Sequence, residues 1–148
     1  MISRLPAAVA FAAASIAALP SLAAVVGETD SSVVVGLDQE RNIDGVGVAC
    51  TGVGQTKADP HWLTYSVRLE FSNPSQEYLA DEAAAVFDAS GHRLAAVSCE
   101  GPWILFKLPP GAYRALGWLP GAANRPVGAN FRAPAKGQLR LVLRFPGQ

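Results

Sequence analysis

The chain is expected to fold as an all-β protein, a single antiparallel Greek-key β-sandwich of about seven strands, and three features of its 148 residues predict this. Short apolar runs are bracketed by Gly and Pro turns, most plainly in EGPWILFKLPPGAY at residues 100–113. Two segments alternate between apolar and polar residues: LTYSVRLEF at 63–71 strictly, and QLRLVLRF at 138–145 except at Val142. Turn signals recur at short intervals along the rest of the chain, with no repeat or low-complexity tract.

Residues 1–23 read as a secretory signal peptide. Arg4 supplies the positive start, residues 7–19 form an uncharged apolar run, and Ser21-Leu22-Ala23 suits cleavage after Ala23. A membrane anchor is the alternative, but a spanning helix needs about 20 apolar residues, and this run is shorter and closes at Pro20. No stable membrane insertion is expected after its removal, and with no Cys directly behind the run, lipoprotein processing is not expected. Residues 24–41 form either a flexible N-terminal arm or, at Val33 to Val35, a first strand, and residues 42–148 form the domain. That length suffices to bury a core.

Residues 44–54, DGVGVACTGVG, read as strand plus turn. The Gly-x-Gly spacing is not a phosphate loop, because no Gly-Lys-Ser/Thr follows and no amphipathic helix comes after it. A polar loop at 55–61 leads into the 63–71 strand, whose Leu63, Tyr65, Val67, Leu69 and Phe71 share the buried face. SNPS at 72–75 is a turn. Residues 82–88 and 93–98 are expected to form a hairpin, although the Ala run also suits a short helix. Residues 103–108 and 112–118 are expected to pair as the next hairpin across Pro109-Pro110-Gly111. A loop through Arg125, a weak strand at 126–132 and the strong strand at 138–145 close the domain.

The two cysteines, Cys50 and Cys99, are expected to form a structural disulfide in an exported chain, since no Cys-x-x-Cys redox pair is present. In the chain-entropy description such a link stabilises the fold by about 4 kcal/mol.

The net charge is zero, so no nucleic-acid partner is expected. The charges are unevenly placed. Residues 24–100 hold 12 acidic and 4 basic side chains, while residues 101–148 hold 7 basic and no acidic ones. Interleaved early and late strands would bring these together as cross-strand pairs; otherwise they form a basic face for an anionic partner.

The motifs DASG at 88–91, EGPW at 100–103 and LPPGAY at 108–113 resemble the carboxypeptidase regulatory-like domain, a transthyretin-like β-sandwich. TGVG at 51–54, the strand at 65–71 and YLAD at 78–81 resemble small exported proteobacterial proteins that carry this module. The resemblance covers most of the chain from Gly45 onward. It implies an appended structural or interaction module, with Leu108 and Tyr113 packed across the turn at Gly111. One departure is Glu82, at a position where relatives carry an apolar strand residue. The same fold hosts 5-hydroxyisourate hydrolases, which rely on His and Arg residues and a Tyr-Arg-Gly-Ser C-terminus; this chain ends in Arg-Phe-Pro-Gly-Gln.

Candidate sites are sparse. His61 and His92 lack a short metal-ligand spacing and read as turn residues, so no metal or cofactor is expected. No Gly-x-Ser-x-Gly elbow is present and no carboxylate pair is marked for acid–base work, so no catalytic residue is assigned and the chain is not expected to be an enzyme. Trp62, Trp118 and Arg125 are the residues assigned to a possible binding surface, while Trp103 is expected in the core beside Leu105. Residues 55–62, 120–127 and 45–54 are the candidate contact segments. The expected role is a non-enzymatic envelope module whose partner is an envelope protein or glycan. The alternative is a small-ligand or carbohydrate binder that stacks its ligand on exposed tryptophans.

Overall fold

The computed structural model describes residues 31–120 and 125–147. The expected signal peptide and the first part of the 24–41 segment lie outside the described residues. The described chain is a β-sandwich of two five-stranded sheets. Its strands are β1 (Val33–Val35), β2 (Gln39–Ile43), β3 (Val46–Thr51), β4 (Val67–Ser72) and β5 (Glu82–Asp88). They continue with β6 (Arg93–Cys99), β7 (Trp103–Lys107), β8 (Gly111–Trp118), β9 (Val127–Ala133) and β10 (Leu139–Arg144). One sheet has the order β1-β6-β5-β8-β9 and the other β10-β4-β7-β3-β2.

Six of the eight strand pairs are antiparallel, and one pair in each sheet, β1 with β6 and β10 with β4, is parallel. The parallel pairs sit at sheet edges and join segments far apart in sequence, as a parallel pair requires a long connection. Of the two alternatives for Val33 to Val35, the strand is the one found. The turn between β2 and β3 has Asp44 and Gly45 both at positive φ, 50° and 89°, the backbone of a two-residue hairpin. The Asn42 side chain accepts a hydrogen bond from the Gly45 N–H there.

The inner faces close on Val48, Leu69, Phe71, Val86, Val97, Ile104, Phe106, Leu143 and Phe145, all nearly inaccessible to water. Phe71 and Phe145 stack with centroids 5.9 Å apart. The disulfide Cys50–Cys99 links β3 to β6, and so one sheet to the other, with Cα atoms 5.5 Å apart. The hairpin at β5 and β6 forms as expected: Ala83, Ala84 and Ala85 are buried on both faces of the strand, so packing overrides their helix propensity.

Two expectations are corrected. First, the strand expected at 63–71 begins only at Val67, because residues Pro60–Thr64 form a 3-10 turn. Pro60 starts it, and the Asp59 carboxylate caps it by accepting the His61 N–H. The Gln138 side-chain amide holds its end by donating to the Trp62 and Tyr65 carbonyls. Leu63, expected on the buried face, is 64 % exposed. Second, β7 and β8 do not pair across Pro109-Pro110-Gly111. β7 lies between β4 and β3 in one sheet, and β8 lies between β5 and β9 in the other. Two consecutive prolines lack the N–H groups that a tight hairpin ladder needs. Buried Leu108 anchors this crossing, and the Tyr113 hydroxyl closes it by donating to the Pro109 carbonyl at 2.8 Å.

Candidate functional site

Two surfaces carry the chemistry of the described residues, one on the outer face of each sheet. On the β2-β3-β7-β4-β10 sheet, the 3-10 turn at Pro60–Thr64 folds back over the strands. It places Trp62 and Tyr65 on Ala49 and Leu105, as a small second core. The Trp62 indole N–H donates to the Thr56 carbonyl at 2.8 Å. Glu40 on β2 accepts the Tyr65 hydroxyl at 2.7 Å on one carboxylate oxygen and pairs with the His61 ring on the other. These bonds, the Tyr65 one foremost, hold the Glu40 carboxyl below its ordinary range. Burial, reinforced by Glu40, pushes the Tyr65 hydroxyl up. The Lys107 ammonium lies 4.5 Å from the Tyr65 ring centroid. With both carboxylate oxygens engaged and the phenol held protonated, this group acts as a clamp between the turn and β2 rather than as a free acid–base pair.

Further along the same face, Glu70 is almost fully buried between two arginines. Arg140 donates to Glu70 Oε2 through Nε at 2.8 Å, and Arg68 Nε lies 2.8 Å from Oε1. The Glu70 hydrogen bond raises the Arg140 pKa, and Arg140 also donates to the Tyr78 hydroxyl at 2.6 Å. The Arg68 guanidinium lies 4.3 Å from the Trp103 ring centroid, and Trp103 packs beside Leu105 as expected, in the small core on this outer face.

The second surface is a hollow of about 770 Å³ on the β1-β6-β5-β8-β9 sheet. One wall is the turn at residues 88–91; the floor and opposite wall come from β8 and β9. Register sets its chemistry. Arg114 on β8 stands opposite Asn130 on β9 and beside Phe87 on β5, and Ala112 stands opposite Arg132. Arg114 and Arg132 are therefore diagonal neighbours across one strand pair. Both are exposed and make no ion pair among the described residues. Phe87 and Leu116 supply apolar edges. The carboxylate in the lining, Asp88, turns one oxygen to its own turn: Oδ1 accepts the Ser90 hydroxyl at 2.6 Å, the Ser90 N–H at 2.9 Å and the His92 N–H at 3.0 Å. Those bonds, the Ser90 hydroxyl first, hold it below the usual carboxylate range.

The residues assigned to binding from sequence do not share a surface. Trp62 is 8 % exposed and lies over one sheet, while half-buried Trp118 ends β8 in the other and packs on the Ala85, Phe87, Ala96 and Leu116 cluster. Arg125 is exposed just before β9. The 55–62 segment is exposed apart from Trp62, whereas most of 45–54 is β3, an inner strand of its sheet. His92 is an exposed turn residue, and His61 has the Glu40 partner that its position in the sequence did not reveal. Of the charge asymmetry, Arg140 with Glu70 realises a cross-strand pairing, whereas Arg114, Arg125, Arg132, Lys136 and Arg144 have no acidic partner among the described residues. Neither the pairing of Glu40 with Tyr65 nor the hollow is visible along the chain, because each depends on strands brought together by the sheets. Among the described residues no group of three or more His, Cys, Asp or Glu side chains is placed to hold a metal, and no helix is long and apolar enough to cross a membrane.

In comparisons with known proteins, no family model matches the chain and no curated protein matches it.

Proposed function

We propose that the protein is an exported, non-enzymatic β-sandwich module that works in the cell envelope by holding a partner on its surface. The observation that supports this most is the buried disulfide joining the two sheets. Such a link forms and persists in oxidising compartments, in keeping with the signal-like start of the chain. The outward chemistry also suits binding: Glu40 is engaged by Tyr65 and His61 and Glu70 by two arginines, while several arginines have no acidic partner among the described residues. The resemblance to carboxypeptidase regulatory-like domains, carried by the turn motifs, points the same way. Trp62 and Trp118 lie on opposite sheets, and Trp62, which shares its face with half-buried Trp103, is itself buried, so the expected pairing of Trp62 with Trp118 as a stacking site is not favoured.

The test is fractionation of cells expressing the full chain, with thiol trapping, followed by cross-linking and mass spectrometry of the exported form. The expected result is a processed, oxidised protein outside the cytoplasm with a reproducible envelope partner. A reduced, unprocessed protein in the cytoplasm, or an exported protein that cross-links to nothing, would sink this reading.

A further inference from the structure

We infer that the hollow between the 88–91 turn and strands β8 and β9 is a binding site for an oxyanion, a phosphate or carboxylate group carried on a small apolar body. This rests on the module being a binder and names the ligand chemistry of one of its surfaces. The volume of about 770 Å³ lies in the range of small-molecule sites. Arg114, Asn130 and Arg132 line it as three unspent donors: none of their side chains has an ion-pair or hydrogen-bond partner among the described residues.

On the other sheet the central cations are engaged, although Arg144 at the end of β10 is also without an acidic partner among the described residues. Arg68 and Arg140 share Glu70, and Lys107 lies over Tyr65. Two guanidiniums left uncompensated beside one concave surface hold a positive potential that a planar carboxylate or a phosphoryl group satisfies through paired N–H donors. Asp88 makes no ion pair with either arginine, and its Oδ1 takes all three bonds from Ser90 and His92 within the turn. The Arg114 guanidinium rests over Gly128, where an added Cβ would meet Nη2 at 3.3 Å. The missing side chain at Gly128 leaves room for that guanidinium over the strand. Phe87 and Leu116 at the edge favour an anion with an apolar body over a bare ion.

The experiment is an NMR titration of the processed, disulfide-bonded protein with phenyl phosphate, benzoate and inorganic phosphate. Saturable shifts are expected at Arg114, Asn130 and Arg132, with at least one aromatic anion binding about threefold or more tighter than inorganic phosphate. The stronger of phenyl phosphate and benzoate assigns the oxyanion class. Arg114→Gln and Arg132→Gln should each weaken binding at least fivefold with an unchanged melting temperature, and the double variant should abolish saturation. Shifts that never saturate, or that appear equally at Arg125, Lys136 and Arg144, would overturn the site, as would full affinity in the double variant. The titration uses purified protein, so its failure is separable from any result on export or partner capture.

Discussion

Glu82 is the side chain whose environment departs furthest from its chemistry. It is fully buried at the start of β5, and neither carboxylate oxygen has a hydrogen-bond partner. Its strand partner is Cys99, so it sits inward beside the disulfide, in the apolar position that the resemblance assigns to this strand. Desolvation, with a smaller contribution from Asp81, pushes its pKa up to about 9. Folding therefore favours the protonated acid, while the unfolded chain ionises near pH 4.5. Between those values the native state holds a proton that the unfolded state has lost, so stability falls as pH rises, at about 1.4 kcal/mol per unit from this group. Thermal melts of the wild type should drop between pH 5 and 9, and the isosteric Glu82→Gln variant should lose most of that slope. A wild-type profile as flat as the variant's would contradict this account.

At the scale of elements, the two short turns around the middle of the chain decide the arrangement. The 3-10 turn at Pro60–Thr64 converts an apparent strand start into a flap that carries Trp62 and Tyr65 to the outer face. The Pro-Pro segment takes the chain from β7 in one sheet to β8 in the other. Once there, β8 runs close to the opposite sheet: a Cβ at Gly117 would come within 2.5 Å of Phe71 Cε1 and 2.7 Å of Leu143 Cδ1. Gly117→Ala is expected to cost about 1–3 kcal/mol through overpacking. Urea denaturation should show a lower midpoint with an unchanged slope. The same substitution at Gly91, where the added Cβ meets nothing within 4 Å, strains only the backbone at φ 86°. A shift at Gly117 no larger than that at Gly91 would argue against close contact between the sheets.

Across the whole molecule, the disulfide is the covalent tie between the layers, closing a sequence separation of 49 residues. Replacing both cysteines with alanine should reduce stability by about 4 kcal/mol, most of it through the unfolded chain, whose loop is no longer closed. Guanidinium unfolding of the double variant against the oxidised wild type measures this. A difference under about 1 kcal/mol would mean that the core alone sets the stability. The ion pairs work differently: Glu70 with Arg140 joins β4 to β10, so the acidic early and basic late segments do meet, but only locally. Arg114, Arg125, Arg132, Lys136 and Arg144 have no acidic partner among the described residues and contribute to its outward charge.

Much of the fold was legible along the chain because strands and turns are written locally. Alternation marked β10 and the 67–71 part of β4, Gly and Pro marked the bends, and the even cysteine count anticipated the link that the structure contains. The Ala-rich hairpin was legible from its turn in spite of its helical propensity. What the chain did not reveal is which strands become neighbours. Period-two patterning tells each strand which face to bury but not beside which partner. Hence β7 and β8 looked like a hairpin, and Trp62 and Trp118 looked like members of one surface. Composition and turn chemistry determined an all-β sandwich with a disulfide. The placing of Arg114 beside Arg132, of Glu40 under Tyr65 and of Glu82 in the core was decided only by sheet order and register, which depend on contacts between residues distant in sequence.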